Sequence, residues 1–94
     1  MPKLKVAHIR EQGVDLIIVP LNTGFGRQSQ ASQDAAIGGV QMGVRAAGLA
    51  GTVVPVWDDG DGRMAFRAPR PWHPFFASLN LHFVWSNVNR EVSW

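Results

Sequence analysis

The chain has no cysteine and no tyrosine, and only 17% of its 94 residues are charged. Without cysteine there can be no disulfide, no thiolate-ligated zinc and no cysteine nucleophile. A chain of this size buries only about 60–65% of its unfolded surface. Its stability must therefore come from packing or from a partner subunit. No apolar run approaches membrane-spanning length; the longest is Leu16 to Leu21. The opening segment, Met1-Pro2-Lys3-Leu4-Lys5-Val6, lacks the apolar centre of a signal peptide. Together with the missing cysteines, this sets a cytoplasmic protein without a membrane partner as the expectation.

Charge of one sign is also scarce. Nine Lys and Arg against seven Asp and Glu leave a net charge of +2. The sequence pI near 9.9 follows because seven of the nine cations are Arg and no tyrosine or cysteine titrates at high pH. The cations form no run, so the field is weak and does not by itself point to nucleic acid. A hydrophobic fraction of 46% excludes a disordered chain. The length fits one domain over residues 1–94.

The pattern predicts the order ββαββα. Leu4 to Ile9 and the apolar run Val14 to Leu21 form a hairpin around Glu11-Gln12-Gly13. The second of these strands has the unbroken apolar character of a strand buried on both faces. Ile37, Val40, Val44 and Ala47 recur at helical spacing within Ser29 to Ala47, with Ser29 or Ser32 as the cap and Gly48 as the stop. Gly38, Gly39 and Gly43 weaken this helix by about 1 kcal/mol each, so tertiary contacts must hold it. Thr52 to Trp57 and Arg63 to Ala68 form a second hairpin. Pro55 argues for a strand at an edge or paired on one side. Pro69, Pro71 and Pro74 then lead into a helix from about Pro74 to Asn89. The expected fold is α+β: a four-stranded, mainly antiparallel sheet with two helices packed on one face.

Register sets which apolar side chains need cover. Pairing Val56 with Met64 and Val54 with Phe66 makes one core face, and makes Trp57 and Arg63 cross-strand neighbours. A cation–π contact there contributes about 0.5–1 kcal/mol. In the first hairpin Leu4, Val6, His8, Leu16 and Ile18 share one face, and Ala7, Ile9, Ile17 and Val19 the other. The face away from the helices is then apolar at its centre. The last helix raises the same difficulty. Ala77, Leu81, Val84 and Val88, with Trp85 beside them, form one stripe; Phe75, Phe76, Leu79 and Phe83 form another on the far side. A homodimer or higher oligomer is the simplest cover, through Ile17, Val19, Trp57, Leu81, Val84, Trp85 and Val88.

Catalytic signatures are absent. Asp58-Asp59-Gly60-Asp61-Gly62 resembles a calcium loop only in part: position twelve counted from Asp59 is Arg70, so a hairpin turn explains it. Gly24-Phe25-Gly26-Arg27 lacks the third glycine of a dinucleotide-binding loop, because residue 29 is Ser. His8, His73 and His82 have no metal-binding spacing to another ligand. No serine sits in a nucleophile elbow. No cofactor, metal or catalytic residue is assigned. If the loops after strands two and four leave the sheet together, Asn22, Thr23, Phe25 and Arg27 meet Arg70, Trp72 and His73. That pocket would suit a small anionic or aromatic ligand.

A small oligomeric binding or interaction protein without catalysis is thus the leading expectation. The alternative is a nucleic-acid-binding domain using a sheet face that bears Lys5, Trp57, Arg63 and Arg67. A small enzyme with its pocket at the strand-end loops comes third.

Overall fold

Gln12 and Gly13 take positive φ angles of 51° and 77°, as a two-residue type I′ hairpin turn requires at both central positions. Glycine meets that demand without strain. The turn pairs Glu11 with Val14, Ile9 with Leu16 and Ala7 with Ile18, joining β1 (Lys3–Glu11) to β2 (Val14–Pro20). These elements come from a computed structural model that describes residues 3–60 and 62–93. From β2 the chain passes through a short 3-10 turn, Thr23–Arg27, into α1 (Gln30–Ala46). It continues through β3 (Thr52–Asp58), β4 (Met64–Phe66), a second 3-10 turn at Arg70–Trp72, α2 (His73–Ala77), α3 (Leu81–Ser86) and β5 (Arg90–Ser93).

The fold is α+β, as expected, but the sheet has five strands in the order β4-β3-β2-β1-β5. It is mixed, with one parallel pair at its centre. β2 and β3 run parallel, with Ile17 beside Val53 and Val19 beside Pro55; α1 supplies the long crossover that a parallel pair needs. The remaining pairs are antiparallel. β3 is not an edge strand, despite Pro55. The Pro55 carbonyl accepts from Arg67 N–H at 3.1 Å. In a strand the N–H and C=O of one residue point to the same side, so the missing donor falls where β4 has already ended.

The helices do not share a face. Val40 and Val44 of α1 pack on Val6, Ile17, Val19, Val53 and Val92. Phe76 of α2 and Val84 of α3 pack on Ala7, Leu16, Ile18, Val54 and Val56, across the sheet. Both faces are covered from within the chain, which is why residues 16–20 and 53–57 are buried without alternation. Burying a side chain such as Phe76 contributes about 1.5–3 kcal/mol.

α1 owes its limits to local chemistry. Ser29 Oγ accepts from Ser32 N–H at 3.1 Å. At the other end Gly48, with φ of 76°, donates to Arg45 O, and Leu49 donates to Val44 O, the paired bonds of a Schellman stop. Leu49 then packs against the core under α1.

The single helix expected over 74–89 is two short ones. Asn80 caps α3, its side chain accepting from Phe83 N–H at 2.8 Å, and Ser78 Oγ donates to Phe75 O at 2.6 Å. Phe76 of α2 and Val84 of α3 both enter the same core. Residues 90–93 then pair with β1 as a fifth strand. No helix among the described residues is long and apolar enough to cross a membrane.

Candidate functional site

The loop between β2 and α1 is anchored by Phe25, which is buried and meets Trp57 edge-to-face with ring centroids 4.9 Å apart. Gln33, in the first turns of α1, donates from Nε2 to Phe25 O at 3.0 Å and so ties the helix to the loop. An open cavity of about 270 Å³ lies between this loop, the underside of α1 and the sheet. Val19, Leu21, Phe25, Val40 and Val53 form its apolar wall, and Ala35, Ala36 and Gly39 are its small-residue roof. Asn22 and Gln28 are its polar residues, and the Asn22 side chain makes no capping bond within its own turn. None of the described residues lining it is ionisable.

Its position follows from topology. β2 and β3 are parallel neighbours, and the loop that leaves β2 opens at their carboxyl ends, where α/β sheets commonly hold ligands. Ala35, Ala36 and Gly39 of α1, of which only the glycine costs helix stability, leave space above the sheet that larger side chains would fill.

Asn22 and Phe25 therefore line a real cavity, but the rest of the expected pocket does not join them. β4 runs antiparallel to β3 and hence also to β2, so the loops after β2 and β4 leave opposite ends of the sheet. Trp72 packs with the core on the α2 side, edge-to-face on Phe75 at 5.7 Å. The His73 ring meets Phe66 edge-to-face at 5.4 Å, and its Nε2 lies 2.9 Å from Ala68 O. Arg70 and Arg27 are exposed, and neither they nor Thr23 line the cavity. Trp72 lines a separate hollow with Gln12, Pro71, Pro74 and Phe75.

The surfaces expected to need a partner are largely covered. Ile17, Val19 and Val84 are fully buried, and Trp57 is 9% exposed. Leu81 and Val88 are partly buried, and Trp85, at 54%, is exposed. The basic sheet platform does not form either. Lys5 alternates with Leu4 and Val6, and so lies on the face opposite Trp57. The second hairpin is shifted by two residues from the expected register: Trp57 pairs with Ala65, not Arg63, and Val56 with Phe66. Arg67 turns to α1, where its Nη1 lies 2.8 Å from Asp34 Oδ1.

The acidic turn serves itself. Asp58 Oδ1 accepts from Gly60 N–H at 2.7 Å, while Asp61 lies outside the described residues. No group of three metal-ligating side chains occurs among the described residues. His8 is half-buried, with Nε2 lacking a hydrogen bond and 3.9 Å from Asp15 Oδ1.

No family model, curated protein or solved structure matches this chain. Function must be read from the site alone.

One feature of the site had no sequence signal. A second hollow of about 250 Å³, lined by Ile37, Thr52, Val53, Pro55, Arg67, Ala68 and Pro69, adjoins the cavity. The two share Ile37, Val53 and Pro55 as a common wall. Arg67 reaches this position because it follows β4 along the edge of β3, and it meets Asp34 of α1 more than thirty residues away in sequence.

Proposed function

We propose that this protein is a non-catalytic binding domain that holds a small, largely apolar ligand under α1. The cavity carries the proposal: it is open, apolar, close to the lower size of small-molecule sites, and lined without an ionisable group. A dry apolar cavity of about 150 Å³ already accepts benzene. A site of about 270 Å³ therefore suits one ring with a short substituent. Asn22 and Gln28 add neutral hydrogen-bonding groups to the lining, so shape and hydrogen bonding contribute to selection. Among the described residues of the lining none is ionisable, which favours holding over turnover. A cysteine-free chain of this kind suits the cytoplasm.

The test is a titration with small aromatic compounds followed by amide and methyl resonances. Binders should shift Val19, Leu21, Phe25 and Val40 together. Ala36→Phe, at an exposed position on the roof, should fill the space and abolish those shifts while the fold persists. Compounds that bind equally well to Ala36→Phe would place the ligand elsewhere and remove the proposal.

A further inference from the structure

We infer that the ligand is a carboxylic acid, and that Arg67, paired with Asp34 in the free protein, is the group that receives its carboxylate. The inference rests on the cavity being a ligand site. That cavity has no charge of its own, yet Arg67 lines the hollow on the other side of a wall made by Ile37, Val53 and Pro55. Among the described residues lining the two hollows, Arg67 is the one charged side chain. A ligand whose ring fills the cavity and whose short chain crosses that wall brings its head group to the guanidinium.

The guanidinium is prepared for exchange. Among the described residues, the guanidinium is engaged through Nη1, by Asp34 Oδ1 at 2.8 Å and by Gln33 Oε1 at 3.4 Å. A guanidinium has five N–H donors in a planar fork, so most of its donating capacity remains for a bidentate carboxylate. The Arg67 side chain is 33% exposed and that of Asp34 56%. An ion pair this open to water is weak, and a ligand carboxylate can replace Asp34 without stranding a buried charge. Gln33 links the two hollows directly: its Oε1 accepts from Arg67, and its Nε2 donates to Phe25 O on the cavity wall. Arg27, Arg63 and Arg70 line neither hollow. A cation chosen for a ligand in the cavity is therefore Arg67.

The experiment compares ω-phenylalkanoic acids, from phenylacetic to 6-phenylhexanoic acid, with their primary amides, by calorimetry and cavity resonances. Wild type should prefer an acid over its matched amide by about tenfold, with the preference appearing once the chain is long enough to cross the wall. Arg67→Met keeps the aliphatic stem and should erase the preference, weakening the acids far more than their amides. Asp34→Asn removes the competing carboxylate and should tighten the acids but not the amides. Amides that bind in the cavity with no preference for acids, in wild type and Asp34→Asn alike, would overturn the Arg67 assignment and leave the cavity as the ligand site. If neither series shifts the cavity resonances, both proposals fall together.

Discussion

The side chain of Asn89 completes the sheet beside His8. Its Oδ1 accepts from His8 N–H at 2.9 Å, and its Nδ2 donates to His8 O at 3.0 Å, while its own N–H donates to Val6 O. An amide side chain presents the same donor and acceptor as a peptide group, so Asn89 extends the β5–β1 ladder by one step where the backbone turns away toward α3. Asn89→Ala removes both side-chain bonds. The expected loss is about 1–2 kcal/mol in urea unfolding, with faster hydrogen exchange at the His8 amide. A variant as stable as wild type, with His8 still protected, would mean that water replaces the amide fully.

Phe76 and Phe83 separate the two-helix arrangement from a continuous helix. On an unbroken helix they belong to one stripe and would be buried to a similar degree. With the break at Asn80, Phe76 is fully buried and Phe83 is 37% exposed. Phe76→Ala should cost about 3–5 kcal/mol. Phe83→Ala should cost well under half of that, read from denaturant midpoints at constant slope. Equal costs would contradict the broken geometry.

The parts of this fold that sequence made legible are those decided by neighbouring residues. The run from Val14 to Leu21 announced a strand covered on both faces, and Ser29 and Gly48 bracketed α1. What failed was decided at a distance or by a single residue. A three-residue turn at Glu11-Gln12-Gly13 pairs His8 with Leu16, whereas the observed two-residue turn pairs His8 with Ile17. That one-residue slip moves every side chain of β1 to the other face relative to β2; the apolar face expected to lack cover came instead from placing both helices on one side, whereas α1 and α2/α3 cover opposite faces. Asn80 could be read as a cap or as a residue within a helix, and only the docking of Phe76 and Val84 decides. β5 offers one core residue, Val92, too little for a strand pattern. In the site, Asn22 and Phe25 were legible as loop residues after a strand. Arg67 was not, because its partner Asp34 lies on α1 and the antiparallel course of β4 sets their meeting.

Among the described residues, few large apolar side chains are left outside. They are Met42, Trp85, Val14 and Phe83, and isolated exposed side chains of this kind are ordinary on monomers. Light scattering on a size-exclusion peak should therefore give the mass of one chain, and Trp85→Glu should leave both mass and stability within about 0.5 kcal/mol of wild type. A larger mass that falls to one chain in Trp85→Glu would instead put an interface between copies on α3.

Gly26 is where the loop, the sheet and the cavity constrain one another. A Cβ built there overlaps Trp57 Nε1 and stands only 3.0 Å from Cδ1 and 3.2 Å from Cε2. The indole cannot retreat without disturbing Phe25, which meets it edge-to-face and lines the cavity. Gly26→Ala should therefore cost about 1–3 kcal/mol, as overpacking generally does. It should also shift the Trp57 indole resonance and weaken any ligand that contacts Phe25. Stability alone would not separate this from a loop defect, so the coupled readout matters: the Trp57 indole signal and ligand affinity should change together. An unchanged indole signal with normal affinity would show that the loop yields instead, and that Phe25 is positioned independently of Trp57.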